Sequence, residues 1–233
     1  MTRNLDVGQR FQPVPSYPGV FQCPPRQLFR SGIVGRVSRC SLLALALCLP
    51  SVAPAHDSPE HVIEALTARI DSVGKRPDLL WRRATEHRAL GQLDAAARDL
   101  RDALAAKPDH IPALQDLARI ELAQGKTRQA LRTINRAFKV TKDEAGLAPL
   151  RMVRADVWCA RGSFDRALTD CDEALRHAGT VEMDWYLTRA QIQRRLGRLD
   201  DAVAGLRQAF EQTGSAVLEA EWIAALKRQR ARR

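Results

Sequence analysis

The segment HDSPEH, residues 56–61, puts two imidazoles and two carboxylates within six residues. A chain beginning at His56 would present an α-amine beside an imidazole. That pair chelates Cu(II), which favours nitrogen and oxygen donors, with Glu60 or His61 as a further ligand. The plainer reading, adopted here, is a polar spacer ahead of a helix, with no metal and no other cofactor; a copper-binding accessory protein is the alternative. The remaining chemistry-bearing residues are dispersed. His87, His110 and His177 are expected at surface or interhelical positions, and Asp170, Asp172 and Glu173, like Asp99 and Asp102, on solvated helix faces. No GxSxG, phosphate-binding loop, HExxH or CxxC occurs in the chain, which removes the chemistries those motifs carry. A non-enzymatic role is expected.

The run RVSRCSLLALALCLPSVAPA ends immediately before His56. It has a basic flank, an apolar stretch far short of the roughly 20 residues a membrane span needs, and small residues at Ala53 and Ala55. This is the pattern of a secretion signal cleaved between Ala55 and His56, so a periplasmic or secreted protein is expected, touching the membrane only during export. Cys48 follows Leu47, where lipidation would require a small residue. Residues 1–33 are rich in Pro, Gln and Gly without apolar periodicity, which suits a disordered leader or a start codon nearer Val34 or Val37. A cytoplasmic adaptor with an uncleaved leader is the competing account.

The net charge of +10 invites a nucleic-acid partner. Its distribution argues against one. Residues 1–55 hold six Arg and one acid, residues 56–226 hold 26 basic and 26 acidic side chains, and the last seven residues hold five basic ones. The basicity belongs to the two ends, so no nucleic acid is expected. Signal cleavage would leave Cys159 and Cys171 as the remaining thiols.

What must position any site is a repeat. Four segments align, beginning at Leu79, Ala113, Leu150 and Trp185, with Gly91, Gly125, Gly162 and Gly197 spaced 34, 37 and 35 residues apart. Seven residues before each glycine stands Ala84, Ala118, Ala155 or Ala190; five after stands Ala96, Ala130, Ala167 or Ala202; twelve after stands Ala103, Ala137, Ala174 or Ala209. Small residues let two helices approach closely, and glycine ends the first of them in a left-handed turn. Larger apolar residues such as Leu93, Leu100 and Leu104 recur between them at helical spacing. Each unit is a helical hairpin that buries its apolar face only by stacking on neighbours.

These residues closely resemble the tetratricopeptide repeat. The resemblance covers about residues 77–214, with Ala84, Gly91, Ala96, Leu100, Ala103 and Pro108 filling the family pattern in the first unit. Lys142, Gly179 and Gly214 replace the proline later, which is expected to loosen inter-repeat turns, and Cys171 takes a large apolar position. The fold expected is all-α, a right-handed solenoid of ten helices: a signal over 34–55, a capping helix over 56–76, repeats over 77–110, 111–144, 148–181 and 183–216, and a capping helix with basic tail over 217–233, where Ala224 takes the small position. Cys159 and Cys171 then lie on opposite helices of one hairpin, about a turn out of alignment, and are expected as buried free thiols.

The resemblance implies a concave groove lined by the first helices. Its residues here are Trp81, Thr85, Arg88, Gln115, Arg119, Leu122, Met152, Asp156, Cys159, Leu187, Gln191 and Arg194. Trp81, Leu122, Met152 and Leu187 would be apolar anchors, and Arg88, Arg119 and Arg194 would pair carboxylates. The expected partner is a protein or peptide of unknown identity. The Lys and Asn set with which some members hold chaperone tails is absent.

Overall fold

A computed structural model describes residues 58–232; the leader, the signal, the cleavage site and His56 lie outside the described residues. The described residues form ten α-helices and no strand: α1 (Pro59–Val73), α2 (Pro77–Ala89), α3 (Leu93–Ala106), α4 (Ile111–Ala123), α5 (Thr127–Val140), α6 (Glu144–Ala160), α7 (Phe164–His177), α8 (Met183–Arg195), α9 (Leu199–Thr213) and α10 (Ala216–Arg230). Each packs on the next in sequence. The hairpins are α2–α3, α4–α5, α6–α7 and α8–α9, and they stack through α3–α4, α5–α6 and α7–α8.

The turn between the helices of each hairpin is a backbone solution. Gly91, Gly125, Gly162 and Gly197 all have φ between 72° and 75°. That left-handed region is costly for any residue with a Cβ, so glycine can end one helix and launch the next within two residues. All twelve alanines of the repeat pattern are buried, as small residues that let two helices approach closely would be. Around them Leu80, Leu100, Leu114, Ile134 and Leu150 are fully buried and form one apolar cluster through the first two repeats and into the third. A side chain such as Leu100 contributes about 2 kcal/mol by leaving water. Further clusters follow along the stack, one around Cys171 and Trp185, another around Leu206 and Leu218.

Two local departures from the repeat have physical causes. The 37-residue glycine spacing is absorbed by a longer helix, not by a looser turn. α6 has 17 residues where α2, α4 and α8 have 13. Asp143 caps the added turn by accepting from the Gly146 N–H at 2.6 Å, and Arg151 pairs with Glu144 at 2.8 Å. Pro149 stands inside this helix and has no N–H to return to the Ala145 carbonyl. In α10, Ala225 is buried and Ala224 only partly so. The residue buried in this helix is therefore one place on from the expected one, where the helix packs on α9 and α8.

Candidate functional site

The first helices of the four hairpins, α2, α4, α6 and α8, each present three residues at matching places, ten, six and three before the turn glycine. At the first place stand Trp81, Gln115, Met152 and Leu187. Trp81 is the best held. Its indole N–H donates to Asp116 Oδ2 at 2.8 Å, and its ring lies 5.9 Å from that of His110. His110 is buried, accepts from the Ala113 N–H to cap α4 and contacts Asp78 at 3.1 Å. Gln115 is half-buried and Leu187 packs, half-buried, against the last apolar cluster. Met152 is only 6 % exposed and belongs to the core, so it has little surface to offer.

At the second place stand Thr85, Arg119, Asp156 and Gln191. The Thr85 hydroxyl donates back to the Trp81 carbonyl. Arg119 lies 3.6 Å from Asp116, so one carboxylate holds both the indole of α2 and the guanidinium of α4. Asp116 did not stand out in the sequence; its place next after Gln115 on the same helix is the signal that could have found it. Asp156 is water-accessible, yet the helices around it crowd its carboxyl. That loss of hydration pushes its pKa up to about 6, against the pull of the Arg119 charge. Gln191 is exposed.

At the third place stand Arg88, Leu122, Cys159 and Arg194. Arg88 is exposed and the other three are half-buried. Cys159 and Cys171 are free thiols. Burial, with the nearby Asp156 charge, pushes Cys159 up to about 12 and raises Cys171 still more. Neither is a thiolate at neutral pH, so neither has the character of a nucleophile.

Asp99 and Asp170 correct the sequence reading. Both are buried and gripped bidentately from the preceding helix: Arg83 donates to Asp99 by two bonds of 2.7 Å, and Arg154 to Asp170 by bonds of 2.8 and 2.6 Å. The guanidinium fork matches the carboxylate, so the pair can leave water together. The signal was present as Arg and Asp placed symmetrically eight residues before and after the glycine. Asp172 is partly buried and accepts from Arg189 at 2.6 Å. Asp102 is exposed and pairs with Lys75, and Glu173 pairs with Arg176 and His177.

No group of three or more His, Cys, Asp or Glu among the described residues could hold a metal. His61 is exposed, its ring 3.2 Å from the Ser58 hydroxyl. Among the described residues no helix is long and apolar enough to cross a membrane.

A family model described as tetratricopeptide repeat matches residues 87–151. No curated protein matches. Among solved structures, the chain is similar to TTC0263, a thermophilic TPR protein of Thermus thermophilus, with 22 % identity, 72 % of this chain and 90 % of that one covered, and a TM-score of 0.61. It is similar to MamA of Desulfovibrio magneticus RS-1 at 15 % identity, covering 66 % and 85 %, TM-score 0.57. It is also similar to YrrB, described as a TPR protein with an unusual peptide-binding site, at 15 % identity, covering 65 % and 76 %, TM-score 0.52. These likenesses are of fold. They agree with the glycine-turned hairpins above: the described residues form an α-solenoid of the kind that tetratricopeptide-repeat proteins have, and residues 87–151 match that repeat's family model.

Proposed function

We propose that this protein is an exported, non-enzymatic scaffold that holds a segment of a partner protein across α2, α4, α6 and α8. The architecture is that of a protein-interaction scaffold; the groove, the export and the class of partner segment are the proposal. The observation that carries it is the Trp81–Asp116–Arg119 arrangement, an aromatic and a guanidinium pinned by one carboxylate across two adjacent repeats. Fixing these side chains before binding lowers the ordering cost of association, and Trp and Arg are the residue types that dominate interfaces. Arg88, Arg119 and Arg194 provide guanidinium groups for acidic side chains of the partner, with Thr85, Gln115, Asp156 and Gln191 as hydrogen-bonding neighbours and Leu122 and Leu187 as apolar ones. The likeness to YrrB, a protein described as binding peptide, supports this reading at the level of fold.

Export rests on the apolar run ending at Ala53-Pro54-Ala55. It places the protein, after cleavage before His56, in the periplasm or outside the cell. N-terminal sequencing from fractionated cells should give His56; a cytoplasmic species retaining residues before Ala55 would end that part. For the groove, Trp81→Ala with Arg119→Glu should lower partner affinity at least a hundredfold, since each is of the type that contributes about 2 kcal/mol or more, while the helical circular dichroism stays unchanged. Undiminished binding would place the contact on another face.

A further inference from the structure

The residue eight places after each turn glycine is a meeting point for its hairpin. In the first repeat it is Asp99, gripped by Arg83, with the His87 ring 3.9 Å away. In the second it is Thr133, whose hydroxyl donates to Glu121 at 2.7 Å. In the third it is Asp170, gripped by Arg154. The fourth repeat retains the surrounding groups and lacks the centre. Arg189 stands where Arg83 and Arg154 stand, Gln193 stands where His87 and Glu121 stand, and the central residue is Gly205.

The consequences are visible on both sides of the gap. Arg189 gives only its Nε–H, at 2.6 Å, to Asp172 of the preceding repeat. Its Nη1 lies 3.1 Å from the place a Cβ on Gly205 would occupy. Gln193 is 4 % exposed, and its buried Oε1 has no hydrogen-bond partner; it lies 3.9 Å from that same Cβ position. A buried acceptor left unmatched is destabilising, so the hairpin has a standing demand for a donor here. A cleft of about 290 Å³ opens at this place, lined by Arg189, Gln193, Gly205 and Arg198 and also by the carboxylates of Asp172 and Asp201.

We propose that this cleft is a binding site for a small α-hydroxy or α-amino acid, separate from the groove. The carboxylate takes the place that the Asp99 and Asp170 carboxylates hold in the sister repeats, against the Nη edge of Arg189. The adjacent hydroxyl or ammonium supplies the donor that Gln193 Oε1 lacks. A carboxylate alone satisfies the arginine and leaves the glutamine unmatched, which is why the ligand needs both groups on neighbouring atoms.

The probe is glycolate, with acetate as the control that lacks the donor and chloride at matched ionic strength as the salt control. In the full chain, glycolate at ten times its Kd should raise Tm by about 3 °C, the rise growing with the logarithm of its concentration above Kd, and acetate by clearly less. Gly205→Asp installs the carboxylate that the other repeats carry. Its helix φ is ordinary, and the flexible end of Arg189 needs to give only slightly, so this variant should fold and show no glycolate response. As a second measurement, the Arg189 Nε–H resonance should shift on titration in the parent chain and stay still in Gly205→Asp. Equal Tm rises in both chains, or none in the parent, would overturn the site. An acetate effect equal to that of glycolate would overturn the ligand class.

Discussion

In the third repeat Arg154 crosses from α6 to α7 and closes on Asp170 with two bonds. In the fourth, Arg189 starts from the equivalent place on α8, meets Gly205 on α9, and turns back to Asp172 on α7. One arginine ties a hairpin to itself; the other ties the last hairpin to the one before it. The turns and alanines around the two match, although α6 carries an added turn that α8 lacks, so the difference shows how one side chain can redirect a charge without altering the hairpin. It also shows that a repeat can have its backbone specified by glycine and alanine while its polar interior is left free to vary.

The largest expected effect comes from cutting the complete pair. Asp170→Ala would leave Arg154 partly buried with no carboxylate, only the Phe138 ring 4.0 Å away, and should lower stability by about 3 kcal/mol in urea unfolding; Asp99→Ala should do nearly the same in the first repeat, where Arg83 keeps only the Thr67 hydroxyl. A loss below about 0.5 kcal/mol would mean that the pair behaves as an exposed one. Next come two glycines with opposite requirements. At Gly162, where φ is 72°, alanine should cost about 1–2 kcal/mol. At Gly205, inside α9 with no positive φ, alanine should raise stability by a few tenths of a kcal/mol, since the helix-propensity gain of about 1 kcal/mol is offset by the tight approach of Arg189. The same sign at both positions would contradict the assignment of one as turn and the other as vacancy.

An effect reduced by the exposure of its side chain to water belongs to Asp156, at the second place on α6. Its carboxyl is raised in the folded protein to about 6, above the roughly 3.9 of an unfolded chain. The folded state therefore holds the proton more tightly. The resulting stabilisation is complete below about pH 4 and is lost as pH rises through 6. Asp156→Asn should flatten this fall, seen as a Tm that declines less between pH 4 and 7 than in the parent chain. An identical decline in both would place the titration elsewhere.

The fold was legible because its determinants are backbone conformation and close approach. A glycine needed at positive φ and an alanine needed at a helix crossing leave few substitutes, so Gly91, Gly125, Gly162 and Gly197 mark the turns without any knowledge of contacts. The interior charges were less legible. Asp99 and Asp170 have the residue type of a solvated face, and their burial depends on an arginine sixteen residues earlier that becomes a neighbour only when the hairpin closes. The added turn of α6 was hidden for another reason: three extra residues fit a loop or a helix equally well, and the Asp143 cap with the Arg151–Glu144 pair decides between them. At the proposed binding face, the residue places follow from the repeat, while the burial of Met152 and the hold of Asp116 on Trp81 and Arg119 depend on packing between repeats.

The groove account is tested most directly by photo-crosslinking in the cells that make the protein. A crosslinkable residue is placed singly at Arg88 or Gln191, both exposed, at the third place of α2 and the second place of α8, or at Arg98, exposed on α3. The account predicts that Arg88 and Gln191 crosslink to one and the same partner, at sites separated along a single segment of it, and that Arg98 does not. Crosslinking from Arg98 with none from Arg88 and Gln191 would contradict it.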